Sequence, residues 1–211
     1  MKLAVSILSV KNDYKNWIKK LNETNITKLH LDIMDSTFTP SSSFSIKEAY
    51  EISELSKKDL DVHIMSTNLD NILDDYIKLN PETINIHYEA SNNIEKYINK
   101  IKKNNIKVGI AINPETNISE IYSYLDKIDQ VLIMSVNPGK GGQEFKEETI
   151  EKLKLLNNLK SNYKFIVEVD GGINNNTIKK VTDLVDIVVS GSYITKDNNY
   201  EEKINDILLQ K

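Results

Sequence analysis

The chain contains no cysteine. Disulfides are therefore excluded, and so is any metal site built on thiolates. No apolar run is long enough to span a bilayer, and the opening stretch MKLAVSILSVKND is too brief to hold both the apolar region and the cleavage site of a signal peptide. The expectation is a soluble cytoplasmic protein with no membrane partner. A basic excess is missing as well. Lys and Arg number 27 against 31 Asp and Glu, so the net charge of -4 with mixed signs argues against nucleic acid as a partner. Glycine is scarce, seven in 211 residues, and none lies in SILSVKND around the end of the first apolar run. That absence removes the fingerprint that an open, doubly wound dinucleotide-binding sheet would carry there.

What is present is a repeating alternation. Short runs rich in Val and Ile recur at LAVSIL (3–8), KLHLDI (28–33), LDVHIM (60–65), TINIHY (83–88), KVGIAI (107–112), QVLIMS (130–135), FIVEVD (165–170) and DIVVSG (186–191). Each has the length and composition of a strand buried on both faces. Between them, polar stretches with helical periodicity cover 14–21, 46–55, 69–79, 94–101, 118–128 and 147–159, with Asp13, Ser45, Thr67, Ser91 and Asn117 placed to cap them. Strand followed by helix, repeated about eight times, predicts a parallel sheet. Eight units of about 26 residues use up the chain, so the predicted fold is α/β, one closed (β/α)8 TIM barrel domain over 1–211.

In such a barrel the site forms where strands meet the loops that follow them. Reactive residue types do gather there: Ser6, His30 and Asp32, His63, His87, Asn113, Ser135 and Asn137, Asp170, and Ser190 to Ser192. All three histidines of the protein fall in or at the ends of these runs. His30 and Asp32 lie two apart on one strand, so both project to the same face about 7 Å apart. With His63 and Asp170 they offer two imidazoles and two carboxylates from three strands. That donor set suits Zn²⁺ or Fe²⁺ first, with Mn²⁺ or Co²⁺ as further options. The plainer alternatives are a satisfied core histidine at His63 and a turn or cap residue at Asp170. Glu168 shares the strand parity of Asp170, which points it into the barrel, and the sequence offers no role for it beyond a buried ion pair.

Two carboxylates beside one cation suit a particular reaction. A proton next to a carbonyl is acidified when a cation holds the developing enediolate. One carboxylate can then remove that proton and the other return it on the opposite face. Three small-residue loops supply a phosphate grip: NPGKGGQ (137–143) with Gly139, Gly141 and Gly142, DGGIN (170–174), and SGS (190–192).

Taken in order, HLDIMD with the later F-x-P, DVHIM, MSVNPGKGGQ, VEVDGGI and SGS resemble ribulose-phosphate 3-epimerase over essentially the whole chain. The resemblance implies a ribulose-phosphate-binding barrel with one divalent metal ion held by His30, Asp32, His63 and Asp170, and Asp32 and Asp170 as the catalytic acid/base pair. It implies substrate contacts from Ser6, His63, Met34, Met65 and Met134, phosphate contacts from Gly141, Gly142, Gly171, Gly172, Gly191 and Ser192, and a homo-oligomer, dimer or hexamer. The expected reaction interconverts D-ribulose 5-phosphate and D-xylulose 5-phosphate at carbon 3, in the pentose phosphate pathway. The alternatives are the same chemistry on a hexulose phosphate such as allulose 6-phosphate, and a non-catalytic sugar-phosphate-binding barrel. This chain departs from the family pattern at Ser36, Ser41, Ser66 and Lys140, departures expected to alter the rim of the site. His87 matches a family histidine and is expected behind the site or in a structural role.

Overall fold

Side chains alternate faces along a strand, so a strand buried on both sides must satisfy two environments at once. In the computed structural model, which describes residues 1–209, eight such strands do so by closing on themselves. They are β1 (Lys2–Ser6), β2 (Lys28–Met34), β3 (Asp59–Met65), β4 (Thr83–His87), β5 (Lys107–Ile112), β6 (Gln130–Met134), β7 (Ile166–Asp170) and β8 (Ile187–Ser190). All pair in parallel in chain order, and β8 returns to β1. The (β/α)8 barrel expected from the alternation is the fold. Positions 210 and 211 of the expected 1–211 domain lie outside the described residues.

One face of each strand packs outward against the helices. Leu29, Leu31 and Ile33 of β2 join a single apolar cluster with Ile18, Leu21, Ile52 and Leu73 from the helix layer. The inward face is different. Its apolar patches are small, Ala111 with Leu132, Met134 and Val136 on one side, and Ala4 with Ile187 and Val189 on the other. The remaining interior is polar: Lys28, His30, Asp32, Asp61, His63, Asn85, His87, Gln130 and Glu168 are all buried.

The outer layer holds α1 (Tyr14–Asn22), α2 (Ile46–Leu55), α3 (Leu69–Ile77), α4 (Ile94–Lys103), α5 (Thr149–Leu159), α6 (Ile178–Val181), α7 (Ser192–Thr195) and α8 (Tyr200–Leu208). The stretch expected as a helix over 118–128 is a tighter 3₁₀ segment over Ile118–Tyr124, and α3 stops two residues short of the expected 79. Of the expected caps, Ser45 works as one. Its hydroxyl accepts from the Glu48 N–H, and Glu48 reaches back to the Ser45 N–H. Asp13 and Asn117 precede their segments without a side-chain cap bond, and Asn68 and Asn93 stand in the cap positions expected of Thr67 and Ser91. Among the described residues, no helix is long and apolar enough to cross a membrane.

Strand register delivers the chemistry to one mouth. Asp32 lies opposite His63 across β2 and β3, His30 opposite Ser6 across β1 and β2, and Asp170 opposite Met134 across β6 and β7.

Candidate active site

The site is built from strand positions of one parity. His30 is fully buried, and its Nδ1 lies 2.7 Å from Asp61 Oδ2. A carboxylate only accepts, so Nδ1 carries the proton in that bond. His30 Nε2 then faces the mouth, 3.4 Å from Asp32 Oδ1 and 3.9 Å from Asp170 Oδ2, with no hydrogen-bond partner of its own. Asp32 is anchored on its other oxygen, where the Ser6 hydroxyl donates at 2.6 Å. Its Oδ1 also lies 3.3 Å from His63 Nδ1. One ligand atom from each of His30, Asp32, His63 and Asp170 falls within 4.8 Å of the other three.

Electrostatics separates the two carboxyls. Burial alone would raise Asp32, but the His30 imidazole beside it holds it well below the usual carboxylate range. Burial raises Asp170 to about 7, and the Asp32 charge adds to the effect. His30 is pushed well above its ordinary value: burial opposes this, and Asp32 and Asp61 outweigh it. A proton on His30 and a metal cation among the four are alternative ways to neutralise this acidic cluster. The residues fit a divalent ion on three grounds: an orphaned buried imidazole nitrogen, two nitrogen and two oxygen donors at close range, and no thiolate competitor.

Below these residues lies a second polar layer that the sequence reading did not assemble. Asp61 accepts from Asn85 Nδ2 at 2.9 Å, Asn85 Oδ1 accepts from Gln130 Nε2 at 2.9 Å, and Gln130 Nε2 also donates to Glu168. Among the described residues Glu168 is in no ion pair and accepts from Gln130 instead. Burial, with the Asp61 charge next, raises its pKa well above the ordinary value. The signal was there in period two: Lys28, His30 and Asp32, then Asp61 and His63, Asn85 and His87, Glu168 and Asp170. Alternating polar residues on a buried strand mark a polar barrel interior.

The cavity over this cluster is bordered by Ser6, Asp32, Met65, Met134, Asp170 and Val189, and then by the glycine loops. Those loops contribute Gly139, Gly141, Gly142, Gly171, Gly172, Gly191 and Ser192. His30 and His63, wholly buried, do not border it, and Met34 borders a neighbouring groove with Lys11, Phe44 and Tyr76. Gly172 shows why a side chain is excluded: its φ is +64°, and a Cβ would meet the Phe145 backbone nitrogen at 2.5 Å. Lys140 is exposed at the rim. Lys196, not singled out in the sequence, brings its Nζ to 3.7 Å from where a Cβ on Gly142 would sit. Ser36, one of the positions where the chain departs from the motif pattern, holds a left-handed φ of +66°.

Residues 2–195 match the sequence model of the ribulose-phosphate 3 epimerase family. A ribulose-phosphate 3-epimerase of Helicobacter pylori is 36% identical over 198 residues, covering 92% of this chain and 90% of that protein. One of Bacillus subtilis is 30% identical over 214 residues, covering 98% of each. Among solved structures, a Mycobacterium tuberculosis tryptophan synthase superposes with a TM-score of 0.73 at 8% identity, over 99% of this chain and 91% of that one, a likeness of fold alone.

Proposed function

Because the chain belongs to the ribulose-phosphate 3-epimerase family, an isomerase-class group of carbohydrate-phosphate epimerases, we propose that it interconverts D-ribulose 5-phosphate and D-xylulose 5-phosphate by inversion at carbon 3. One observation carries the reading. Asp32 from β2 and Asp170 from β7, far apart in sequence, approach the same unpartnered His30 Nε2 to 3.4 and 3.9 Å at the floor of one cavity.

A divalent ion held by His30, Asp32, His63 and Asp170, zinc or iron(II) in our reading, would supply Lewis-acid stabilisation of charge developing on the substrate's oxygens. The protein's own groups do the rest. Asp32, kept ionised by the His30 imidazole beside it, takes the proton from carbon 3, and Asp170 returns one on the opposite face; the roles exchange in reverse. Ser6 holds Asp32 in place through its 2.6 Å hydrogen bond. Met65 and Met134 form an apolar wall that keeps water from the carbanionic carbon, and the glycine loops offer backbone N–H groups to the phosphate.

Replacing either carboxyl tests this. Asp32→Asn and Asp170→Asn are each expected to lower turnover of ribulose 5-phosphate by about 10²–10⁴-fold, the usual worth of a general acid or base, while binding of inorganic phosphate survives. Near-normal turnover in either variant would overturn the assignment. Comparison of ribulose 5-phosphate with allulose 6-phosphate decides the substrate: faster turnover of the six-carbon sugar would keep the chemistry and move the specificity.

A further inference from the structure

Behind His63, on the side away from the cavity, a second imidazole and a carboxylate continue the line. His63 Nε2 lies 2.9 Å from His87 Nε2, and His87 Nδ1 lies 3.1 Å from Glu89 Oε2. The two rings stack at 5.0 Å with 28° between their planes, and Phe38 covers the outer face of His87 at 4.6 Å. Glu89 is itself fixed, because its Oε1 accepts from the Asn113 N–H at 2.8 Å and from the Thr116 hydroxyl.

We propose that Glu89 and His87 are positioning residues that place the ring proton of His63 on Nε2 and so leave Nδ1 free for the metal ion. The proposal rests on the metal reading of the four-residue cluster. Its logic is a count of protons. Both rings are completely buried and lie against each other, which disfavours a charge on either, so each carries one proton. A carboxylate only accepts, so the proton of His87 sits on Nδ1 and is donated to Glu89. His87 Nε2 is then an acceptor. The 2.9 Å contact is a hydrogen bond only if His63 donates through its own Nε2. That leaves a lone pair on His63 Nδ1, aimed towards Asp32 Oδ1 at 3.3 Å. Two acceptors facing each other at that distance repel unless a cation sits beside them. His30 is set the same way by Asp61, through a single bond at 2.7 Å. Both metal-facing nitrogens are thus chosen by a carboxylate behind the ring, directly for His30 and through a second imidazole for His63.

Long-range ¹H–¹⁵N correlation of the three histidines, in metal-free protein and with zinc added, tests the proposal without reading activity. The expected wild-type result is the Nε2–H tautomer at His63 in both states, with zinc perturbing Nδ1. In Glu89→Gln the amide can donate to His87 Nδ1, which turns the chain of protons around. His63 should then switch to the Nδ1–H tautomer in the metal-free protein, and zinc affinity by chelator competition should fall about 10–100-fold. His87→Gln, whose amide oxygen can still accept from His63, should keep the His63 tautomer and lose less affinity than His87→Phe. An Nδ1–H tautomer in metal-free wild type would overturn the proposal. So would a folded Glu89→Gln variant with zinc affinity within about twofold of wild type, where that loss is expected. Failure of wild type to bind zinc would instead sink the metal reading. The tautomers of the metal-free protein would still decide the relay.

Discussion

At the scale of single residues, the interior of this barrel depends on a glycine as much as on its charged groups. A Cβ on Gly109 of β5 would lie 1.8 Å from Asn85 Oδ1, the oxygen that accepts from Gln130, on the side chain that also steadies Asp61. Gly109→Ala must therefore displace Asn85 and break both bonds. We expect a loss of about 1–3 kcal/mol in chemical denaturation, the cost of leaving buried polar partners unpaired. An unchanged midpoint would mean that the layer does not depend on Asn85. His30, Asp32, His63 and Asp170 were legible because their own residue types sit at strand ends. Asp61, Asn85 and Gln130 were not, since each acts on a partner at least 24 positions away on another strand. Only register brings those together, and register is a property of the closed sheet.

At the scale of elements, strands were read more accurately than helices. A buried strand announces itself through a short Val- and Ile-rich run that little else produces. Helix ends depend on whether a polar side chain turns toward the free N–H groups. Ser45 does, and Asp13 and Asn117 do not. Ser45→Ala should lower stability by about 1 kcal/mol in urea titration, the usual cost of removing a working cap. The same substitution at Asp13, which caps nothing, should leave the midpoint where it is. Equal losses at both sites would show that the capping box does not stabilise α2.

At the scale of the whole molecule, the barrel is closed at its base by charge. Lys28, buried at 2% exposure, pairs with Glu82 at 2.6 Å, and Glu82 pairs again with Lys107 at 2.7 Å. Burial by itself would raise Glu82, but the two lysines outweigh it and hold its pKa below the ordinary 4.5. A carboxyl lowered in the folded state stabilises the fold above its unfolded value, and that contribution disappears as pH falls through the folded one. Glu82→Gln should therefore be less stable than wild type near neutral pH, and the gap should close as the solution is acidified below about 4.5. A gap that stays constant in acid would exclude Glu82 as a source of the acid sensitivity. The closed order of eight strands was legible from the alternation alone, whereas the polar filling of the barrel emerged only once the strands were seen side by side.

The central claim is that two carboxyls from different strands move a proton at carbon 3 of a ketose phosphate beside a bound cation. Incubation of the metal-loaded protein with ribulose 5-phosphate in D₂O, followed by NMR, tests it most directly. The account predicts deuterium at carbon 3 together with the appearance of xylulose 5-phosphate, both abolished by a chelator and restored by added zinc or iron(II). Inversion without deuterium uptake, or exchange that persists after the metal is removed, would contradict it.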